Sequence, residues 1–302
     1  MIQAIEAYLA VHRTGGFVLS NDEYLLRSYA RFAAERGEEH VRAAIAITWA
    51  SQSPSLAQRD ARLKSVCRFA RFVRLEDDAH ELPPARHFAH HKVRRLPHIY
   101  SDAEIERLIN VALALGPPGA LRPHTYATLI ALLSATGLRV SEALRLRFAD
   151  LSSEGLVIRM TKFRKSRLVP LHETAALGLE RYLRRRRRWD PDHDYVFVTD
   201  EGQPLPYGAV HRTFHKLLKA GELRLAPGRP RPRLHDLRHR FAVRALQACP
   251  PGRGAVSQHM LALATYLGHA NINSTYWYLE ATSELLEGIA AAGEAFYQEA
   301  TS

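Results

Sequence analysis

The residues of this sequence that can do chemistry are cations and tyrosines in short, separated stretches. Arg139 lies in ATGLRVSEALRL, where Gly137 ends one predicted helix and Arg139 precedes the next. Backbone packed on both sides of such a junction would hold the guanidinium. His235 and Arg238, in RLHDLRHRF, are three residues apart and share a helix face. An imidazole beside a guanidinium suits a phosphodiester. Each stretch alone also fits a surface arginine or an exposed, capped helix start.

A third stretch, MTKFRKSRLVPL, places Lys162 in a turn between two predicted strands, 156–160 and 167–171. From that turn the lysine ammonium could reach a groove. The same turn holds further cations, namely Arg164, Lys165 and Arg167. A solvent-exposed hairpin tip is the simpler interpretation of this stretch by itself.

The stretch LGHANINSTYWYLEAT contains two tyrosines beside a Gly-His pair. Gly268 is suited to end a predicted helix over 260–267, which leaves His269 in the following turn. Tyr276 and Tyr278 differ by about 200° around a helix, so they cannot both face one site. One tyrosine is therefore a candidate for a group that takes part in the chemistry, and the other packs against the protein or lies on its surface.

The bulk composition favours a basic, globular protein with a polyanionic partner. With 302 residues, 46% of them hydrophobic, the chain is long enough for two domains with a core. Its formal charge of +11 points to nucleic acid first and to an anionic membrane second. The sequence contains no apolar run of the roughly 20 residues that cross a bilayer, and its start does not resemble a signal peptide. Two distant cysteines, Cys67 and Cys249, favour a reducing, intracellular location.

The first part of the chain is predicted to be helical, with helices over about 20–33, 39–51 and 56–73. The third of these helices is crowded with cations on its polar side, including Arg59, Arg62 and Arg68. These arginines are candidate phosphate contacts, although a solvated helix face explains them equally well. The stretch 83–97, rich in proline, histidine and basic residues, is predicted to be a linker. Its histidines lack the spaced partners of a metal site.

The rest of the chain is predicted to be mainly α-helical with a small antiparallel β-sheet, an α+β domain. A capping box at Ser101 and Glu104 starts a helix that runs to about residue 115. Further helices are predicted over 125–135 and 140–148, before the two strands, and helices dominate afterwards. The basic run Arg184–Arg188 is predicted to be solvated charge near a helix C-terminus.

Taken together, these elements resemble the tyrosine recombinase family, also called the phage integrase family and including Xer-like enzymes. The resemblance covers about residues 101–282 and depends on ATGLRVSEAL, HDLR, LGH, a tyrosine nine residues after that histidine, and a hairpin lysine before RLVPL. It implies catalytic roles for six residues: Arg139, Lys162, His235, Arg238, His269 and Tyr278. Tyr278 corresponds to the nucleophile, and Lys165 is the alternative to Lys162. Tyr276 is the rival nucleophile, but it lies off the family spacing.

The resemblance implies a site-specific recombinase or integrase that cuts and rejoins DNA through a 3′-phosphotyrosyl intermediate. It implies a helical core-binding domain over 1–82, a linker over 83–97 and a catalytic domain over 98–302. Expected partners are double-stranded DNA and further copies in a homo-tetramer on paired sites, or a related recombinase in a hetero-oligomer. Two arginines can replace metal ions at the phosphate, so no metal, cofactor or ATP is expected. The protein would serve a mobile element or replicon, in the cytoplasm at the nucleoid.

Two alternatives remain open on the sequence. A type IB topoisomerase-like enzyme would use the same chemistry as a monomer. The sequence has an amphipathic stretch after Tyr278, and the resemblance implies that such a tail docks on a neighbouring copy, although packing on its own domain is the simpler alternative. A basic DNA-binding protein without catalysis would need none of the six residues. Because all six positions hold residue types competent for the chemistry, this alternative is disfavoured.

Overall fold

The chain divides into two compact units, Met1–Arg94 and Arg95–Ser302. The computed structural model describes residues 1–88, 95–159, 166–189, 194–223, 231–249, 253–268, 271 and 275. The boundary between the units falls inside the stretch 83–97. Among the helices described, none combines the length and the apolar character that crossing a bilayer requires.

The first unit is helical throughout its regular elements, as predicted. The helices are α1 (Ile2–Thr14), α2 (Ser20–Ala34), α3 (Ala43–Ser51) and α4 (Leu56–Val73). α4 packs against the other three helices. It begins where the Ser55 hydroxyl accepts the Gln58 amide at 3.2 Å, which is an N-cap. The predicted bounds of α4 are confirmed. α3 starts later than predicted because Arg42 is extended.

The core of the first unit is built from apolar side chains on one face of each helix. Leu26, Tyr29, Trp49 and Phe69 are at most 2% exposed. The chain after α4 returns to this core, since the Cys67 thiol donates to the Pro83 carbonyl at 3.3 Å. Residues 83–88 therefore pack on the first unit.

The second unit is mainly helical with one small antiparallel sheet, which confirms the predicted fold class. Its elements are α5 (Asp102–Leu113), α6 (Arg122–Thr136), α7 (Val140–Ala143), a 3₁₀ turn (Phe148–Asp150), β1 (Leu151–Ser152), β2 (Gly155–Ile158), β3 (Arg167–Val169), α8 (Glu173–Trp189), α9 (Tyr207–Ala220), α10 (Leu234–Gln247) and α11 (Arg253–Leu267). The strands lie in the order β1-β2-β3. Leu156 pairs with Val169, and Ile158 pairs with Arg167.

Several local signals in this unit behave as the sequence predicts. Ser101 and Glu104 form the capping box, because the Glu104 carboxylate accepts the Ser101 amide at 2.8 Å and the Ser101 hydroxyl accepts the Glu104 amide at 3.2 Å. Gly137 ends α6 with a φ of 61°. A Cβ at that position would lie 2.5 Å from the Phe241 ring, so the position requires glycine for both backbone and space.

The predicted third helix, 140–148, is wrong in length. α7 ends at Ala143, and the chain turns into a 3₁₀ segment and the two-residue strand β1. The reason is tertiary: the Leu146 carbonyl accepts the Val196 amide at 2.8 Å, and the Phe148 amide donates to the Asp194 carbonyl at 2.9 Å. These bonds use backbone groups that a longer helix would keep for itself.

The basic run at the end of α8 is not solvated throughout. Arg186 is fully buried, donates from Nε to the Tyr195 carbonyl at 3.2 Å, and lies 5.7 Å from the centre of the Phe148 ring. The other four arginines of the run are exposed. Arg186 thus fastens α8 to the segment beside the sheet, which corrects the prediction for this residue.

Candidate active site

The C-terminal end of α11 is surrounded by arginines. Its last carbonyl oxygens each accept a hydrogen bond from a different guanidinium, in the pairs Arg167 Nε–Tyr266 O at 2.7 Å, Arg238 Nη2–Leu267 O at 2.7 Å and Arg139 Nη2–Gly268 O at 3.1 Å. Carbonyls at a helix C-terminus lack partners within the helix and carry partial negative charge. They therefore attract cations, and we refer to Arg139, Arg167 and Arg238 as the α11 arginine cluster.

Arg238 is the buried member of this cluster. Its side chain belongs to α10, the residue is only 2% exposed, and Nη1 donates to the Gly137 carbonyl at 2.8 Å. With Nη2 on Leu267, the planar guanidinium joins the C-terminal ends of α6 and α11. Two bonds from one rigid fork fix its position and orientation.

Arg139 is the accessible member. It precedes α7, and about a third of its side chain is exposed. Nη2 is held by the Gly268 carbonyl, and Nη1 donates to the Glu142 carboxylate at 2.8 Å. The prediction that backbone would hold this guanidinium is confirmed, and the backbone involved is that of α11. Because Arg139 and Arg238 hold neighbouring peptide units, their two charges lie side by side.

Glu142 is the acidic centre of the cluster. Its side chain is 2% exposed, and its carboxylate also binds Arg167, with the closer contact at 2.9 Å. Burial alone would raise the pKa of Glu142, but hydrogen bonds from Arg167 and from the Arg139 amide outweigh it and lower the pKa to about 2. Glu142 was not among the predicted site residues. An acid three residues after a helix start is a capping-box signal, and that signal in RVSE could have identified it.

His235 lies in the first turn of α10 and is accessible to solvent. The His239 ring packs edge-on against it, with 4.8 Å between ring centroids. Desolvation by the surrounding protein, followed by repulsion from Arg238 and more weakly from Arg139, lowers the pKa of His235 to about 4. The imidazole is therefore neutral at pH 7 and has a nitrogen that can accept a proton. His235 and Arg238 lie three residues apart on α10, and Arg238 and Arg139 bind successive carbonyls, so the three residues belong to one site.

α10 is anchored so that its first turn meets this site. The Asp236 carboxylate, 1% exposed, accepts the Arg233 amide at 2.9 Å, which repeats the arginine-and-acid arrangement that starts α7. Further along the helix, Arg240 donates to the Tyr100 carbonyl at 2.9 Å and binds the Asp102 carboxylate. Contacts at the start and in the middle of α10 therefore limit movement of the turns that carry His235 and Arg238.

Arg167 completes the cluster and differs from its prediction. It begins β3, where the predicted strand 167–171 starts, but its grouping with the exposed turn cations is wrong because its side chain is only 11% exposed. The remaining predicted residues lie outside the described residues, namely Lys162, Arg164, Lys165, His269, Tyr276 and Tyr278. Their roles remain predictions. Within the described ranges, no group of three or more His, Cys, Asp or Glu side chains is arranged to hold a metal ion.

The arginines predicted as DNA contacts in the first unit all have partners on their own unit. Arg59 donates to the Ser53 carbonyl at 2.7 Å, and Arg62 lies 5.0 Å from the centre of the Trp49 ring. Arg68 donates to the Asp22 carboxylate at 2.5 Å, with about half of its side chain exposed. These α4 residues are therefore engaged with other segments of the first unit, and their DNA contacts stay a prediction.

Comparison of the sequence with known proteins identifies a family and several relatives. The model described as the phage integrase family matches residues 100–284, well over half of the chain. The chain is 37% identical over 296 residues to "Putative integrase/recombinase y4rB" of Sinorhizobium fredii, covering 94% of each protein. It is 31% identical over 245 residues to "Tyrosine recombinase XerD" of Halalkalibacterium halodurans, covering 78% of this chain and 74% of that protein.

The fold is also shared with a solved structure. The crystal structure of a lambda integrase tetramer bound to a Holliday junction matches with a TM-score of 0.63 at 18% identity, covering 91% of this chain and 76% of that chain. At this level of identity the likeness is one of fold.

Proposed function

The chain belongs to the phage integrase family of tyrosine recombinases, and we propose that Arg139, Arg238 and His235 form the phosphate-binding part of its active site. The protein is a site-specific recombinase that breaks and rejoins DNA. The observation that carries the site assignment is the pair of guanidiniums fixed on the successive carbonyls of Leu267 and Gly268.

The geometry of the two arginines suits a DNA phosphodiester. In phosphoryl transfer, negative charge accumulates on the nonbridging oxygens of the phosphorus. Guanidinium groups stay charged at any working pH and bind such oxygens bidentately. Arg238 is already oriented by two carbonyls, and Arg139 is accessible beside it. Groups that are fixed before the substrate arrives need little reorganisation, which favours the charged transition state.

We assign the nucleophile to Tyr278 and leave Tyr276 outside the chemistry. The phenol oxygen attacks the scissile phosphorus and forms the 3′-phosphotyrosyl bond, while the bond from phosphorus to the 5′ oxygen breaks. The neutral imidazole of His235 accepts the phenolic proton. Lys162, or Lys165 as the alternative, gives a proton to the leaving 5′ oxygen, and His269 assists at the phosphate. Attack by another 5′ hydroxyl reverses these steps and reseals the strand without ATP.

The proposed substrate is a pair of double-stranded DNA sites, and the proposed assembly is a tetramer of this chain. A matching lambda integrase forms a tetramer on a Holliday junction, which supports this arrangement. A hetero-oligomer with a related recombinase is the second possibility. We place the reaction in the cytoplasm at the nucleoid, where it would serve a mobile element or replicon.

A covalent-adduct assay tests the proposal directly. A labelled duplex from the DNA flanking the gene, nicked close to the expected cleavage point, would be incubated with the protein and run on a denaturing gel. Cleavage beside the nick releases a short fragment, so the adduct cannot be resealed and accumulates. We expect a protein-linked band with the wild type and with Tyr276→Phe, and none with Tyr278→Phe.

Other outcomes would support the alternatives. If no protein variant gives an adduct on any flanking site, the chain acts as a DNA-binding protein without catalysis. If the wild type relaxes any supercoiled plasmid without dependence on a site, the topoisomerase-like function is the better description. If Tyr276→Phe loses the adduct while Tyr278→Phe keeps it, the nucleophile is misassigned.

A further inference from the structure

Arg167 is mostly buried and makes more hydrogen bonds than an arginine on the protein surface usually makes. It is the first residue of β3, where its Cα pairs with that of Ile158, and its side chain is 11% exposed. All three guanidinium nitrogens donate to protein acceptors: Nε to the Tyr266 carbonyl at 2.7 Å, Nη1 to Glu142 at 3.2 Å and Nη2 to Glu142 at 2.9 Å. The side chain therefore holds Glu142 and the last turn of α11 in place.

The bidentate contact between Arg167 and Glu142 bears directly on Arg139. Glu142 Oε1 accepts from Arg139 Nη1 at 2.8 Å as well as from Arg167 Nη1. Glu142 Oε2 accepts from the Arg139 amide at 3.0 Å as well as from Arg167 Nη2. Each carboxylate oxygen is thus shared by the two arginines. A displacement of the carboxylate would move both the backbone start and the guanidinium of Arg139.

Arg167 also packs against the C-terminal end of α11. Gly268 has a φ of 66°, and a Cβ there would lie 2.9 Å from Arg167 Nη1. The guanidinium therefore occupies the space that a side chain at residue 268 would take. The carbonyl of the same glycine holds Arg139 Nη2. Arg167 consequently touches both groups that orient the Arg139 guanidinium, namely Glu142 and the C-terminal turn of α11.

We propose that Arg167 is a positioning residue for the reaction: it holds Glu142 and the end of α11 so that Arg139 is set for the scissile phosphate. This inference rests on the proposed role of Arg139. In the sequence, the predicted acid Lys162 precedes the first residue of β3 by five positions, and the predicted His269 follows Gly268 directly. One side chain would then connect the strand after the lysine, the turn before the histidine and the first arginine.

The test compares Arg167→Gln with Arg159→Gln. Arg159 is a matched control because it follows β2, the neighbouring strand, and pairs with the mostly buried carboxylate of Asp150 at 2.5 Å. With the nicked duplex, we would measure the affinity for DNA and the rate constant of adduct formation at saturating protein. For Arg167→Gln we expect a rate constant lower by roughly 100-fold, the usual effect of a misplaced catalytic group, with DNA affinity changed only a few-fold. Arg159→Gln should cleave at the wild-type rate.

A double-variant comparison tests whether Arg167 acts through Glu142. If Arg167 acts through Glu142, then Glu142→Gln combined with Arg167→Gln lowers the rate constant no further than the worse single variant. Multiplied effects would show that Arg167 does not act through Glu142. Should Arg167→Gln alone fail to fold, Glu142→Gln with Arg167→Met removes both buried charges, and this variant is expected to fold but cleave slowly.

Two results would overturn the inference. One is a folded Arg167→Gln protein with the wild-type rate constant. The other is a loss of rate matched by an equal loss of folded protein, as judged by circular dichroism and thermal unfolding. Failure of the proposed function looks different, because the wild-type protein itself would then form no adduct on the duplex.

Discussion

The molecule contains two arginine-rich regions, one on α4 and one around the end of α11, and Arg68 and Arg238, one from each region, differ in what holds the guanidinium. On α4, Arg68 is bound by a side-chain carboxylate and is about half exposed. At α11, Arg238 is bound by two backbone carbonyls and is 2% exposed. An ion pair on a surface exchanges readily with water and with other anions, and contributes little to stability. A guanidinium held between two helix ends cannot rearrange without disturbing the fold.

This difference matches two ways of handling a phosphate. A contact that binds DNA backbone of any sequence can tolerate a mobile side chain, because attraction to phosphate is mainly electrostatic. A group that stabilises a transition state has to be fixed in advance. The α11 arginine cluster meets the second requirement, and Arg68 on α4 meets the first. The same substitutions in the two regions should therefore have different effects.

The largest contrast is expected from replacing arginine by lysine at Arg238 and at Arg68. Lysine keeps the charge, but a single ammonium cannot reproduce the fork that spans the Gly137 and Leu267 carbonyls. We expect Arg238→Lys to slow adduct formation on the order of 1000-fold, as for loss of a transition-state donor. It should also lower the free energy of unfolding by about 1–3 kcal/mol, since a buried carbonyl loses its donor.

Urea unfolding and the nicked-duplex assay measure these two quantities. Arg68→Lys is the matched control and should change neither rate nor stability measurably. Equal effects of the two substitutions would mean that backbone anchoring of the guanidinium does not distinguish Arg238 from Arg68.

Glu142 gives the second-largest expected effect, and it depends on pH. The pKa of this carboxylate is about 2 in the folded protein, below the ordinary value of 4.5. Its contribution to stability is therefore present above about pH 4.5 and declines as the pH falls toward 2. The difference between these pKa values corresponds to about 3 kcal/mol at pH 7. Glu142→Gln should lose this amount at pH 7.

Urea unfolding of wild type and Glu142→Gln at pH 7 and pH 3 tests the sign. The gap between the two proteins should narrow to about half at pH 3, where the carboxylate is losing its advantage. A gap that widened at low pH would contradict the ion pairs assigned to Arg139 and Arg167.

The third expected effect concerns the charge state of His235. Desolvation and the nearby Arg238 lower the pKa of this histidine to about 4. NMR titration of the imidazole in the DNA-free protein should therefore give a midpoint near 4, and Arg139→Gln should raise it because one repelling charge is removed. Since the unfolded chain takes up this proton near pH 6.5, the histidine should reduce stability as the pH falls from 6.5 toward 4. A midpoint near 6.5 would show that neither burial nor the charges of the arginine cluster affect the pKa of His235.

The sequence predicted the parts of this site that depend on local signals. Gly137 and Gly268 end helices with positive φ because only glycine adopts that backbone without strain, and this is readable from the chain. Arg139, His235 and Arg238 were identified from short motifs, and α6, α10 and α11 bring them together. The fold class followed from helical spacing and one hairpin pattern.

The parts that were missed depend on tertiary contacts. Arg167 looked like a turn cation because nothing near it in sequence shows that Glu142 and Tyr266 will surround it. Arg186 looked solvated for the same reason, although the fold buries it against Phe148. The strand β1 has two residues, too few for a period of two to appear. Arginine is rarely buried unless it is paired, so an arginine in the sequence is predicted to be exposed unless its acceptors are known.

The smallest expected effect comes from Arg68→Ala, and it addresses whether α4 contacts DNA at all. If Arg68 leaves Asp22 for a phosphate when DNA binds, its loss should weaken binding to all sequences alike. The slope of log affinity against log salt should then shrink by about 0.9, the value for one phosphate contact. Stability should change by less than about 1 kcal/mol because the pair is exposed. Adduct formation at saturating protein should keep the wild-type rate, since the α11 arginine cluster is untouched.

The control for this measurement is Arg13→Ala, which removes another exposed, ion-paired arginine of the first unit, one that lies on α1 and pairs with Glu23. Gel-shift titrations over a range of salt concentrations give the slope for each variant. A reduced slope in Arg68→Ala alone assigns the phosphate contact to α4 and makes Arg68 a mobile counterpart of Arg238. The same slope in both variants and the wild type would show that Arg68 pairs with Asp22 and does not contact phosphate. The first unit would then have to bind DNA through other cations.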